Sequence, residues 1–215
     1  GVPDGDERDG HYLRPVHATQ VDGHARKRCA ARAACTSQRR RPPETARPRA
    51  LDHTRLLSAA MEKHYRSDDP SVAVVEDPLA ELVDLVSFNQ YIGWYDGTLD
   101  KIDRVRWQIP YDKPVSVSEF GADARQGLHG DAGAIWTEEY QAELYRRTLR
   151  MLDRIEGFAG TSPWILSDFR SPRRPLAGVQ DGFNRKGLMS EKGEPKQAFH
   201  VLRDYYRQKA GNAPP

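Results

Sequence analysis

Cysteine is nearly missing from this 215-residue chain, which holds only Cys29 and Cys35. Two thiols outside a C-x-x-C spacing, with only His24 nearby, do not build a four-ligand zinc site, and they do not fix a redox compartment. No apolar segment follows a charged start, so no signal peptide is expected in this chain. No run of about 18 apolar residues occurs either, so no membrane partner is expected. Neither G-x-G-x-x-G nor G-x-x-x-x-G-K is present, which excludes the glycine-rich phosphate loops.

A second scarcity is regional. Residues 1–49 contain no Trp, Phe, Ile or Met, and their only branched aliphatic residues are Val2, Leu13, Val16 and Val21. That is too little apolar surface to offset the entropy of ordering the backbone. The same segment carries 11 Lys or Arg against 6 Asp or Glu, whereas residues 50–215 carry 22 against 25. The sequence predicts a disordered or aberrant leader over 1–49, with a shifted reading frame as one origin. The run Arg39, Arg40, Arg41 raises a basic arm for nucleic acid, but Tyr12 is the only Trp, Tyr or Phe there to stack a base. No nucleic-acid partner is expected.

From residue 50 the text changes. Residues 54–61, TRLLSAAM, form a short apolar run, and 62–70, EKHYRSDDP, read as a loop. Leu85 to Phe88 and Pro114 to Ser118 read as strands, the second alternating valine with serine. Residues 137–155 predict a helix with Leu144, Thr148, Met151, Leu152 and Ile155 on one face and Glu138 and Glu139 at its positive end. Residues 160–169, GTSPWILSDF, read as a further strand. Residues 195–208 read as a closing helix with Pro195 in its first turn and Phe199, Leu202 and Tyr206 aligned.

Strands joined by long, partly helical connections predict an α/β fold with a parallel sheet. Each strand ends in polar or aromatic residues: Asn89-Gln90-Tyr91, Glu119-Phe120-Gly121 and Asp168-Phe169-Arg170. Functional groups gathered at the C-terminal ends of parallel strands are the habit of the (β/α)8 barrel, preferred here over a doubly wound sheet. Chemically, Glu119 could attack an anomeric carbon, Trp94, Tyr95 and Trp164 could stack on a pyranose, and Asn89 and Tyr91 could bind hydroxyls. Glu119 could equally pair with Arg125 at the rim. Arg173 and Arg174 read as loop charges, although a rim arginine near a uronate would help binding, and Asp123 reads as the acceptor of a local bond.

The ordered stretches DLVSFNQYIGWYDG, KPVSVSEFGAD, GLHG, WTEEYQ, SPWILSDF and NRKGL resemble the C-terminal part of glycoside hydrolase family 2. They are most similar to the barrel domains of its β-glucuronidase and β-galactosidase branches, over about residues 49–206. The resemblance implies the C-terminal half of a (β/α)8 TIM barrel in residues 50–215, and a retaining exo-β-glycosidase acting on a carbohydrate, possibly a glucuronide. It implies no cofactor and no metal, and homo-oligomers among full-length members. By the same resemblance Glu119 is the nucleophile, and Asn89, Tyr91, Tyr95, Trp164 and Asp168 line the sugar site. Asn184 and Lys186 match an Asn-x-Lys pair that holds a uronate carboxylate. A β-galactosidase-like fragment and an inactive carbohydrate-binding remnant are the alternatives.

One departure stands out. In the family the acid/base is the glutamate of an Asn-Glu pair, but Asn89, Asn184 and Asn212 are the only asparagines here and none precedes a glutamate. The expectation is therefore of a fragment that lacks its acid/base and turns over little by itself.

Overall fold

In the computed structural model of the chain, residues 46–211 are described, so the expectations for the leader with Cys29, Cys35 and His24 lie outside the described residues. The chain runs through α1 (Ala46–Leu51), β1 (Ser58–Met61), β2 (His64–Tyr65), β3 (Val72–Val74) and a 3-10 turn, Pro78–Leu82. It continues through β4 (Leu85–Asn89), α2 (Leu99–Arg104), β5 (Arg106–Gln108), β6 (Val115–Glu119) and α3 (Glu138–Leu152). The last elements are β7 (Phe158–Thr161), β8 (Phe169–Arg170), β9 (Phe183–Asn184) and α4 (Gln197–Gly211).

The main sheet has the order β1-β4-β6-β7, and every pairing in it is parallel. The order follows the chain without reversal, as in a barrel, and lacks the reversal that defines a doubly wound sheet. The fold is thus α/β with a parallel core sheet consistent with part of a TIM barrel. A smaller sheet, β2-β3-β5, and the hairpin β8-β9 complete the strands.

Alternation in the sequence explains the faces of β6. Val115 and Val117 join a buried cluster with Val86 and Phe88 of β4 and Leu144, Tyr145, Leu149 and Leu152 of α3. The intervening serines pair across the other face: Ser116 Oγ donates to Ser87 Oγ at 3.0 Å, and Ser118 Oγ to Asn89 Oδ1 at 2.7 Å. Helix α3 starts at Thr137, whose hydroxyl accepts from Tyr140 N at 3.1 Å, an N-cap. The expected face is the buried one, with Leu144, Thr148, Met151, Leu152 and Ile155 all inside. Glu138 is also buried. Its two oxygens accept from Gly127 N at 2.7 Å and Gln197 N at 2.9 Å, tying α3 to the preceding loop and to α4.

Several local readings are corrected. The stretch 62–70 is not all loop, since His64–Tyr65 pairs antiparallel with β3. The stretch 160–169 is not one strand: β7 ends at Thr161, because Pro163 has no N–H to offer a ladder, and Trp164 N turns to Phe120 O at 2.8 Å. Pro195 precedes α4 instead of lying in its first turn, because Met189 pairs with it in an antiparallel bridge. Leu202 of α4 is buried, whereas Tyr206 is 43% exposed and donates to Thr161 O at 2.8 Å. Strands β3 and β5 and helix α2 carry too few residues for a visible period.

A buried ionic knot holds the later loops to the sheet. Lys196 Nζ donates to Asp168 Oδ1 at 2.8 Å, to Ala124 O at 2.6 Å and to Arg185 O at 3.0 Å. Asp168 also accepts from Gly187 N at 2.9 Å and from Arg185 at 3.3 Å. Removing one member of such a pair strands a buried charge, at a cost of about 3–5 kcal/mol. Lys196→Met is expected to lower the unfolding free energy by about that much, read as a shift of the urea midpoint. A loss below about 1 kcal/mol would show that Arg185 and Gly187 N suffice to hold the buried Asp168 carboxylate.

Candidate active site

Glu119 is the last residue of β6, at the C-terminal end of the parallel sheet. Period-two alternation alone would turn it to the apolar side of Val115 and Val117. A β-bulge prevents this: Phe88 pairs with Val117, but Asn89 pairs with Glu119, so Ser118 is an extra residue. The Glu119 carboxylate instead accepts from the Tyr91 hydroxyl at 2.9 Å. Among the described residues it makes no ion pair. Arg125 turns away to Gly178 O and Asp181, so the Arg125 alternative is not what the structure contains. Burial and the adjacent Glu119 carboxylate push the Tyr91 hydroxyl well above the ordinary phenol range, so Tyr91 stays a donor.

Gly121 explains the glycine two residues on. Its φ is 154°, and a Cβ there would lie 2.6 Å from Trp164 O. The strand end therefore packs directly on the backbone of the Trp164 segment, which carries a cis Trp164–Ile165 peptide bond. The Trp164 ring is half-buried and meets Phe169 edge-on, with centroids 6.3 Å apart.

The loop after β4 brings in the aromatic residues. Trp94, Tyr95 and Asp96 all donate their N–H to Tyr91 O, and Gly93 N donates to Asp96 O at 3.1 Å. Gly93 has φ 87°, and a Cβ on it would crowd Ile102 at 2.9 Å. Asp96 anchors the loop from outside, accepting from Lys63 at 3.0 Å, from the Tyr65 hydroxyl at 2.5 Å and from Lys101. Burial opposes its charge, yet Lys101, Tyr65 and Lys63 hold its pKa below the usual carboxylate value. The Tyr91 and Tyr95 rings lie 5.2 Å apart, while Trp94 packs edge-on against Trp136 at 4.9 Å.

Lys186 enters from the segment after β9. Its Nζ donates to Tyr95 Oη at 2.8 Å and pairs with Asp123, with only 2% of the lysine side chain and none of the aspartate's exposed. Asp123 also accepts from Gln180 Nε2 at 3.2 Å, so its partners are distant in sequence and the expected local bond is not made. Asn184 is buried, and its Oδ1 accepts from Lys186 N at 3.0 Å, which fixes the turn that aims the lysine. Arg174 completes the group by donating to Tyr95 Oη at 3.1 Å. Burial tends to raise the Tyr95 hydroxyl, but Lys186 and Arg174 outweigh it and hold its pKa below the usual value.

The structure thus brings Asn89, Tyr91 and Glu119 together at one strand end, with Tyr95, Asn184 and Lys186 in a linked cluster beside them. Trp164 borders that end through its backbone. Asp168 is drawn into the ionic knot with Lys196 and Arg185, its carboxylate already occupied. The cluster partners of Arg174 and Asp123 lie 79 and 63 residues away in sequence, which no local pattern reveals. His129 binds Glu139 at 2.8 Å on the surface. Among the described residues no group of His, Cys, Asp and Glu could hold a metal ion, and no helix is long and apolar enough to cross a membrane.

A carboxylate thus stands at the end of a parallel strand, framed by tyrosines and a tethered lysine. No family model matches the chain. It is 33% identical over 171 residues to a β-glucuronidase of Rattus norvegicus, a match covering 75% of this chain and 24% of that protein. A β-glucuronidase of Paenibacillus borealis is 32% identical over 146 residues, 61% of this chain and 24% of its own length. Among solved structures, a GH2 β-galacturonidase from Eisenbergiella tayi bound to galacturonate aligns with a TM-score of 0.59 at 27% identity, covering 76% of this chain and 29% of that one. A β-D-glucuronidase of Dictyoglomus thermophilum gives 0.58 at 28% identity, over 79% and 28%. The chain spans about a quarter of the length of the curated relatives it matches. Sequence and structure together point to glycoside hydrolase family 2, and to the barrel domain of its β-glucuronidase- and β-galacturonidase-like members.

The Tyr95 environment gives a direct test. Removing a neighbouring cation destabilises the phenolate, so Lys186→Met is expected to raise the Tyr95 pKa, followed by tyrosinate absorbance with Tyr95→Phe as the subtraction control. An unchanged titration would mean that Lys186 does not reach Tyr95 in solution.

Proposed function

We propose that residues 50–215 form the C-terminal half of a (β/α)8 barrel bearing the nucleophile and uronate-binding part of a retaining β-glycosidase, with a β-glucuronide as substrate. The observation that carries this is the bulge that turns Glu119 to Tyr91 beside the Lys186–Tyr95 pair. The relatives' names as glucuronidases and galacturonidases support a sugar bearing a carboxylate. In this reading Tyr91 orients Glu119, one of whose oxygens attacks the anomeric carbon. The new C–O bond forms as the bond to the aglycone oxygen breaks, and that oxygen needs a proton from a second carboxyl. In a retaining enzyme that carboxyl stands about 5 to 5.5 Å from the nucleophile, and no Asn-Glu pair of this chain supplies it. Water then cleaves the glycosyl ester, with the second carboxylate as base. In the same reading Lys186 and Asn184 are the residues that meet the C6 carboxylate.

A glycosyl fluoride needs no proton on its leaving group, so it tests Glu119 without the acid. A 2-fluoroglucuronyl fluoride is expected to add one glycosyl unit to the peptide containing Glu119, read by mass spectrometry, and Glu119→Gln should abolish it. A label on another carboxylate would overturn the assignment.

The missing Asn-Glu pair favours a second reading, a carbohydrate-binding chain with little turnover. General-acid help is worth about 10²- to 10⁴-fold. The 215-residue chain is therefore expected to hydrolyse alkyl glucuronides at a negligible rate and nitrophenyl glucuronide only feebly. Comparable rates on both substrates would show that an acid is present after all.

A further inference from the structure

The stretch WTEEYQ, residues 136–141, supplies no side chain to the strand-end cluster, yet it holds three of the segments that do. Trp136 packs edge-on against Trp94, with centroids 4.9 Å apart. The Tyr140 hydroxyl donates to Gly93 O in the loop after β4. Gln141 has no exposed surface, and its Nε2 donates to Ala122 O at 2.8 Å and to Gly187 O at 3.2 Å. Ala122 lies three residues after Glu119, and Gly187 directly follows Lys186. A carboxamide NH2 has two hydrogens, and here one goes to each segment.

The two segments run side by side, since Ala124 N donates to Arg185 O at 2.9 Å. Neither Ala122 O nor Gly187 O accepts another hydrogen bond among the described residues. Gly187 is wedged from its other side as well. Its N donates to Asp168 Oδ1 at 2.9 Å, and a Cβ on it would lie 2.3 Å from Met189 O. Gly187 is thus caught between Asp168 and Gln141, and it carries Lys186 with it. An apolar side chain at 141 would leave two buried carbonyls without their donor and free one segment to shift against the other. We infer that Gln141 is a positioning residue, which from helix α3 sets the Lys186 segment against the Glu119 segment so that both side chains face one sugar. This rests on the proposed reaction for the role of Glu119, and goes beyond it in naming what aligns the two sides of the site.

The test uses the full 215-residue chain with Gln141→Met, which keeps the length of the side chain and removes both donors. Leu149→Ala, buried about two turns further along α3, is the control for lost packing. Both are read at a temperature where circular dichroism shows them folded. Tyrosinate absorbance, with Tyr95→Phe subtracted in each background, reports the contact of Lys186 with Tyr95. Gln141→Met is expected to raise the Tyr95 pKa, as Lys186→Met does, and Leu149→Ala to leave it unchanged. Gln141→Asn keeps the amide on a shorter stem, so it should give a smaller shift of the same sign, and it carries the test where Gln141→Met does not fold. An unchanged titration in the glutamine variants, or an equal shift in Leu149→Ala, would overturn the inference and leave the proposed reaction standing. Labelling of Glu119 by 2-fluoroglucuronyl fluoride is a second readout, expected to be about tenfold to a hundredfold slower in Gln141→Met. Labelling at the wild-type rate would also refute the assignment. A wild type that takes no label would overturn the nucleophile reading, and the Tyr95 titration would then decide on Gln141 alone.

Discussion

The pairing of β4 with β6 governs this strand end, through one extra residue. Up to Val117 the two strands keep register, and their valines and phenylalanine fill the core beneath α3. Ser118 then breaks the alternation, and the chain emerges with its carboxylate facing a phenol hydroxyl and not the apolar layer. A regular ladder would place an ionised group against the buried cluster, where desolvation disfavours charge. The bulge lets one short strand be a core element for most of its length and a chemical element at its tip.

Around that tip, buried charge serves to hold loops in place. Asp96 collects Lys63, Lys101 and Tyr65 and so pins the turn that carries Tyr91 and Tyr95. Asp168 and Lys196 draw the segments after β7 and β9 onto the sheet. Asp123 receives Lys186 and Gln180 from either side of β9. Ion pairs of this sort add little net stability over apolar packing, yet breaking one is costly, which makes them effective at specifying a single arrangement. A concavity of about 610 Å³ between α3 and α4 shares no residue with the strand-end cluster.

The parts of this architecture written in local pattern could be read from sequence. The valine–serine alternation of β6 and the apolar face of α3 follow periods of 2 and 3.6, and both appear as elements where expected. The strand-end habit of polar triplets pointed to a parallel α/β sheet, and Glu119 stands at such an end. Contacts between segments far apart carried no such signal. Nothing near Arg174 announces Tyr95, and nothing near Asp123 announces Lys186. Asp168 looked like a sugar-site residue because it stands in a strand-end triplet of a family-like stretch, but its burial with Lys196 depends on where α4 starts. Pro163 was the one local mark that β7 had to stop early.

The Tyr95 hydroxyl receives a hydrogen bond from Lys186 and another from Arg174. A phenol oxygen has little further capacity to accept, so its own proton is left as the group's remaining valence. That proton is also made more acidic by the two cations behind it. The ring is thereby tied from two separate segments, the loop between β8 and β9 and the turn after β9, and it cannot swing away without breaking both bonds.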